Sequence, residues 1–183
     1  MKLSFQIKFL SDWHCGSGLT LGAEADAEVI KDKNGLPYIP GKTIKGLLRS
    51  ALESVVEFGN KYTLENIDNI FGKNAENVNI AGKAHFSSAK LNANEAEGLR
   101  PDISSLLYRN IASTSINEDG VAVAGSLRTI QVCMPITLSA HIEGISEDDV
   151  PIIEYAFKLV RHVGVNRNHG LGRCQFANII TTN

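Results

Sequence analysis

Three cations at helical spacing, Lys42, Lys45 and Arg49, follow a proline-rich turn in the stretch from Gly35 to Arg49. Residues three and four apart share one face of a helix, so the three charges would line up while Ile44, Leu47, Leu48, Ala51 and Leu52 form the opposite, apolar stripe. Backbone N–H groups at a helix start add partial positive charge, which suits phosphate, and the anion that best matches such a row of cations is an RNA backbone. A nucleotide-binding P-loop would need G-x-x-x-x-G-K-[ST]. Here Gly35 stands one residue too early, and Pro37 and Pro40 remove amide donors, so that motif is excluded. An ordinary amphipathic helix with a solvated basic face is the alternative this segment leaves open.

A second constellation lies between Gly164 and Arg173, where three glycines stand among Arg167, His169, Arg173, Asn166 and Asn168. Glycine lets backbone approach a ligand closely, and Arg and Asn supply donors to a phosphate or a base edge. Gly170-Leu171-Gly172 lacks the third glycine of a dinucleotide fingerprint. The plain alternative is a tight connection from a helix to a final strand. His14, His85, His141, His162 and His169 are scattered without metal-ligand spacing, and His169 is the best RNA-contact candidate because of its loop. Trp13 and Tyr38 could stack on bases or simply pack in a core.

These groups must be carried by a modest chain. At 183 residues and 43% hydrophobic, it can bury one sizeable core, so a single domain over 1–183 is expected. Net charge is −2, but from Tyr155 to Asn183 there is no carboxylate, while Lys158, Arg161, Arg167 and Arg173 fall there. Such segregation allows a basic groove on a nearly neutral protein. Cys15, Cys133 and Cys174 are an odd, widely spaced set without C-x-x-C, which points away from a disulfide framework or a structural zinc and towards a reducing cytoplasm. Met1 to Leu10 alternates polar and apolar residues rather than forming a signal peptide, and no apolar run approaches a membrane span.

Leu3, Phe5, Ile7 and Phe9 alternate as a half-buried strand. Helical periodicity runs from about Lys42 to Phe58 and again from Leu64 to Ile70. A strand is expected at Lys83 to Leu91, and Val132, Met134, Ile136, Leu138, Ala140 and Ile142 give the clearest strand signal. A helix follows with Ile153, Ala156, Phe157 and Val160 on its apolar stripe and Glu147 to Asp149 in its first turn; Arg173 to Thr181 closes as a strand. This order predicts an α+β fold with a ferredoxin-like (RRM-like) βαββαβ core. Two long insertions interrupt it, at about 12–38 and 92–128. In the second, Asp119-Gly120 could turn a protruding hairpin or ribbon.

Together these segments resemble the RAMP superfamily of CRISPR-associated RNA-binding proteins, in particular the repeated backbone subunits of type III effector complexes. The likeness covers most of the chain. It is carried by Trp13-His14-Cys15-Gly16-Ser17-Gly18, by Asp26-Ala27-Glu28-Val29-Ile30, by Leu36-Pro37-Tyr38-Ile39-Pro40-Gly41-Lys42-Thr43-Ile44-Lys45-Gly46, and then by Phe71-Gly72, Phe86-Ser87-Ser88-Ala89 and the glycine-rich loop, in the family's order.

The resemblance implies a cytoplasmic subunit that stacks head to tail with itself and other RAMP subunits along a CRISPR guide RNA and holds it for pairing with a complementary target RNA. Lys42, Lys45, Arg49, Arg167, His169, Gly170, Gly172, Arg173 and His14 would then be RNA contacts, and the 92–128 insertion a thumb-like hairpin interrupting the duplex. Base pairing would carry sequence specificity while the protein reads backbone and shape. In nuclease-bearing members, an aspartate before the Pro-Gly turn directs Mg²⁺-dependent (or other divalent-cation-dependent) cleavage of the target. Asp26 takes that place as both catalytic and metal-binding residue, with Glu24 and Glu28 nearby. Three solvated acids in a surface loop are the alternative. A non-catalytic scaffold or capping subunit, and a metal-independent guide-processing endoribonuclease using His14, are the competing functions. Gln131 departs from the pattern, since many relatives carry a glutamate there.

Overall fold

The computed structural model describes residues 1–18, 25–56, 58–59, 62–75, 78–99 and 101–182. The first strand, β1 (Lys2–Phe9), buries Leu3, Phe5, Ile7 and Phe9 on one face, as its alternation predicts. Helix α1 (Gly41–Val56) buries Gly41, Ile44, Leu48 and Leu52. Its apolar stripe is narrower than expected, because Leu47 and Ala51 are only half-buried on its flank. The helix also ends earlier than expected, and Phe58 beyond it stands 87% exposed.

Helix α2 (Leu64–Phe71) is opened by a capping box between Thr63 and Asn66. It leads into a ribbon that the hydrophobic pattern does not announce, β2 (Gly72–Ala75) and β3 (Val78–Ala81). The strand expected at Lys83 to Leu91 shrinks to β4 (His85–Phe86), continued only by isolated bridges from Ala89 to Ile39 and from Lys90 to Ser139. Short helices α3 (Ala93–Gly98) and α4 (Pro101–Ser104) then lead to an antiparallel ribbon, β5 (Tyr108–Ser113) paired with β6 (Arg128–Cys133). Asp119-Gly120 does sit in the turn beyond this ribbon, where the Asn117 side chain accepts hydrogen bonds from the amides of Asp119 (3.1 Å) and Val121 (2.8 Å).

The run from Val132 to Ile142, read as one strand, is two. Pro135 has no N–H for a ladder and fixes its own φ, so the chain leaves the ribbon at Cys133 and re-enters a different sheet as β7 (Thr137–Glu143). Helix α5 (Val150–Leu159) buries Ile152, Ile153, Ala156 and Phe157, and β8 (Cys174–Thr182) closes the fold.

The main sheet has the order β4-β7-β1-β8, antiparallel throughout. Its register sets Leu3 against Ile142, Phe5 against Ala140 and Ile7 against Leu138, so the buried sides of β1 and β7 coincide. α5 is held to the β1–β8 half by ring packing, with Phe5 to Phe157 at 4.8 Å and Phe157 stacked on Phe176 at 4.5 Å. With the core closed on that side, the irregular segments after β1 and after α5 are free to meet at the end of the sheet where β5–β6 attaches.

Candidate nucleic-acid interface

The chain leaving β1 is the hub of this end. Asp12, 7% exposed, accepts from Arg109 of β5 through Nε at 2.7 Å and again through Nη2. Its backbone carbonyl accepts from the Gly172 amide at 2.7 Å. Trp13 exchanges backbone hydrogen bonds with Cys133 (2.9 and 2.8 Å) and lies fully buried, stacked on Phe9 at 4.5 Å. The His14 carbonyl accepts from Val165 at 3.0 Å, and its Nδ1 stands 2.6 Å from the Gln131 carbonyl, which fixes Nδ1 as the protonated nitrogen. Three consecutive residues thus bind the glycine-rich loop and the ribbon to the same strand end.

This corrects one expectation and decides between the two readings of Trp13. His14 is 2% exposed and hydrogen-bonded inside the protein, so it is neither an RNA contact nor a surface catalytic base. Trp13 is core and stacks on no base. Tyr38 is half-buried. Among the other histidines, His141 lies 3.4 Å from Glu143.

The glycine-rich loop divides into a locked part and an open part. At Gly172 (φ +73) a Cβ would fall 2.1 Å from the Val163 carbonyl oxygen, and at Gly164 2.2 Å from that of His14. These positions need glycine for backbone-to-backbone approach, so Gly172, buried, is removed from the RNA-contact set. At Gly170 (φ +84) a Cβ would meet nothing within 4 Å, and Arg167, His169 and Arg173 are all exposed around it. Gly170 faces a cleft of about 510 Å³ whose opposite wall is Arg109, Met134 and Pro135 at the ribbon base.

A second cleft, about 400 Å³, places Arg161, His162 and Arg167 against Leu47, Ser50 and Ala51 of α1. Arg161 and Arg109 were not among the contacts expected from the sequence. The signal for Arg161 was present in the carboxylate-free stretch after Glu154; for Arg109 there was none, since only the fold carries it to the loop.

The cations of α1 are elsewhere. Arg49 spans to α2, donating to Glu53 (2.6 Å), to Asp68 (2.9 Å) and to the Gly72 carbonyl. It is a strut between helices, which corrects its assignment as a phosphate contact. Lys42 is exposed and Lys45 half-buried; neither makes an ion pair among the described residues. With 3.6 residues per turn, Leu47, Ser50 and Ala51 project from one flank of the buried stripe and Lys42, Lys45 and Arg49 from the other. The structure therefore does not bring the α1 cations to the glycine-rich loop.

Asp26 is exposed but held in place. Its amide donates to Thr129 at 2.7 Å, the Thr129 amide donates to Asp26 Oδ2 at 2.8 Å, and the Gln131 amide donates to the Ala27 carbonyl at 3.0 Å. The segment after Ala25 thus runs beside β6 as a third, parallel strand-like edge. Glu28 is paired with Lys31 at 2.8 Å, Glu24 lies outside the described residues, and no three His, Cys, Asp or Glu side chains converge among the described residues. The acidic cluster considered from spacing is not assembled by the residues described. No described helix is long and apolar enough to cross a membrane.

No protein of curated function matches the chain by sequence. Solved structures that share its fold include two of a type III-B complex. One comes from a structure described as the type III-B Cmr-beta bound to cognate target RNA, with TM-score 0.74, 14% identity and 96% of each chain covered. The other comes from the apo state of type III-B Cmr-beta, with TM-score 0.75, 15% identity, and 97% of this chain and 96% of that one covered. The family model of the RAMP superfamily matches residues 6–175, nearly the whole length over which the strand end, loop and ribbon are built, and the chain belongs to that superfamily.

Proposed function

We propose that this chain is a guide-RNA-binding backbone subunit of a type III CRISPR effector complex, gripping RNA phosphates where the glycine-rich loop meets the base of β5–β6. One observation carries the reading: Arg167, His169 and Arg173 stand exposed beside the open Gly170 on a loop fixed from behind by Gly164 and Gly172. A rigid loop presenting cations loses little freedom when it closes on a phosphate row. The RAMP match and the fold shared with Cmr-beta chains support the same reading.

In this reading the β4-β7-β1-β8 order, with α1 and α5 packed on it, is a ferredoxin-like core, and β5–β6 is the thumb-like hairpin. Its turn region exposes Ile116, Val121 and Val123, apolar groups suited to meeting a neighbouring subunit or an unstacked base. The partners are a guide RNA, a complementary target RNA, other RAMP subunits and further copies stacked head to tail in the cytoplasm.

Target cleavage belongs to the same proposal through Asp26. Its carboxylate is exposed and oriented by the Thr129 amide, and Mg²⁺ is commonly held by one or two carboxylates together with substrate phosphates. A single aspartate fits an ion shared with the target, which would polarise the scissile phosphate. The chain's own contribution is to fix that carboxylate beside the ribbon. The metal-independent processing reading has no support, because its histidine is buried.

The test is single-stranded RNA binding as a function of salt, with target cleavage by the assembled complex measured alongside. Arg167→Ala with Arg173→Ala should shallow the log–log salt slope by roughly 0.7 for each phosphate that the pair had neutralised. Asp26→Ala should abolish cleavage and leave target binding intact. An unchanged slope removes the loop from the interface, and unchanged cleavage leaves a purely RNA-holding subunit.

A further inference from the structure

Between the base of β5–β6, the turn after Lys31 and the short 3₁₀ turn Ser105–Leu107 lies a pocket of about 330 Å³. Its side chains include Gln131, Asn110, Tyr108, Ser104, Lys31 and Arg109, and no carboxylate lines it among the described residues. Both cations are already neutralised, Lys31 by Glu28 at 2.8 Å and Arg109 by Asp12. Lys31 also covers the Tyr108 ring at 4.4 Å. A pocket this polar with its charge cancelled is poorly suited to a phosphate and well suited to a small, uncharged, hydrogen-bonding ring.

The ribbon register sets Asn110 directly opposite Gln131, so two side-chain amides share one face. Gln131 is 9% exposed, and its Oε1 accepts no hydrogen bond. A buried acceptor without a donor is costly, and a ligand amino group is the donor that would relieve it once the amide turns towards the cavity.

We propose that this pocket seats one nucleobase of an RNA strand, with Gln131 and Asn110 reading an edge on which an exocyclic amino group adjoins a ring-nitrogen acceptor. On the Watson–Crick edge adenine and cytosine have that pair, whereas guanine and uracil place a carbonyl beside a ring N–H there. A carboxamide matches the adenine edge with one donor and one acceptor, and unstacked RNA bases are read in this way. The inference rests on the RNA-binding reading and adds to it a base preference that guide–target pairing does not supply. Thr129, which orients Asp26, is two residues from Gln131 on β6, roughly 6–7 Å along the strand, about one extended nucleotide. A strand that runs from the pocket along β6 towards Thr129 would carry its backbone past Asp26.

The experiment measures binding of the full chain to oligouridine about 12 nucleotides long and to the same oligonucleotide with one central adenine, cytosine or guanine. Wild type should bind the adenine and cytosine forms roughly fivefold or more tighter than the other two, the lower end of what one two-point base contact supplies. Gln131→Leu should bind all four alike, with unchanged affinity for oligouridine and a thermal midpoint at or above that of wild type, since it removes the unpartnered oxygen. Asn110→Ala, at an exposed position, repeats the test without touching the interior. Salt-dependent binding by wild type with no base preference, or a preference retained in both variants, overturns the pocket alone. Absence of salt-dependent RNA binding by wild type overturns the pocket and the function proposed above together.

Discussion

Alanine at Gly172 and at Gly170 should have sharply different costs, although the two glycines are neighbours in the sequence and both have positive φ. At Gly170 a methyl group enters open space, so the penalty is the left-handed conformation alone. That is about 1–2 kcal/mol, offset by about 0.4–1 kcal/mol from the stiffer unfolded chain. At Gly172 the same methyl falls 2.1 Å from the Val163 carbonyl oxygen, and backbone must shift by about an ångström or more to restore ordinary contact.

That shift breaks what holds the loop: the Gly172 amide bonded to Asp12 at 2.7 Å and the Val163 amide bonded to the Gly172 carbonyl at 2.9 Å. Each such bond is worth about 0.5–1.5 kcal/mol, more if its buried donor is left bare. Gly172→Ala should therefore cost about 3–5 kcal/mol against about 1 kcal/mol for Gly170→Ala. In a domain of this size the difference corresponds to roughly 5–10 °C in the thermal midpoint. Thermal unfolding followed by circular dichroism, with urea titration as a check, reads it directly. Equal destabilisation by the two substitutions would refute the claim that Gly172 is fixed by backbone approach.

Arg49→Ala should cost about 2 kcal/mol, because it removes a charge-assisted bond to the Gly72 carbonyl and leaves Asp68 without its cation; the salt slope of RNA binding should not move, and a shallower slope would return Arg49 to the interface. Asp149 is buried, which by itself raises its carboxyl, yet its bonds to Lys83 and Ser146 outweigh burial and hold it below the ordinary carboxylate value. A folded-state pKa below the unfolded one adds stability that is full above the unfolded value, near pH 4, and is lost as pH falls through the folded value. Asp149→Asn keeps an oxygen for Ser146, as Asn66 does for Thr63, but loses the ion pair with Lys83 at 2.8 Å; it should cost about 1 kcal/mol at pH 7 and flatten the acid limb of the stability curve, and an unaltered acid limb would count against the assignment.

Much of the core was legible because periodicity reports burial. The alternation in β1 and the stripe Ile44, Leu48 and Leu52 point to the faces they occupy. The break at Pro135 was legible in principle too, but the alternation on either side of it masked a change of sheet. The interface was harder, because spacing along a helix shows which charges share a face and not what that face meets. Lys42, Lys45 and Arg49 do share a flank, but α2 occupies its far end. Asp12 looked like a loop residue and is the buried anchor of Arg109, a pairing across 97 positions that no local pattern encodes. Gln131 differed from the family pattern without a reason visible in one sequence.

The arrangement also explains why a chain of net charge −2 can hold RNA at a defined place. Arg167 of the glycine-rich loop, with Arg161 before it, lines the cleft against Leu47, Ser50 and Ala51 of α1, while on the other flank Glu53 and Asp68 pair with Arg49. A strand of RNA approaching α1 from the second flank meets partly compensated charge; one approaching the loop meets Arg161, Arg167 and Arg173 with no carboxylate between Tyr155 and the end of the chain. Field lines from such a patch are directional even on a neutral molecule. The hub at Asp12, Trp13 and His14 then matters for function without touching RNA, since it fixes the loop and the ribbon base against the same strand end and so sets the width of the cleft between them. A substitution there should alter affinity only by way of that geometry, which is how a buried residue and a contact residue at this site are told apart.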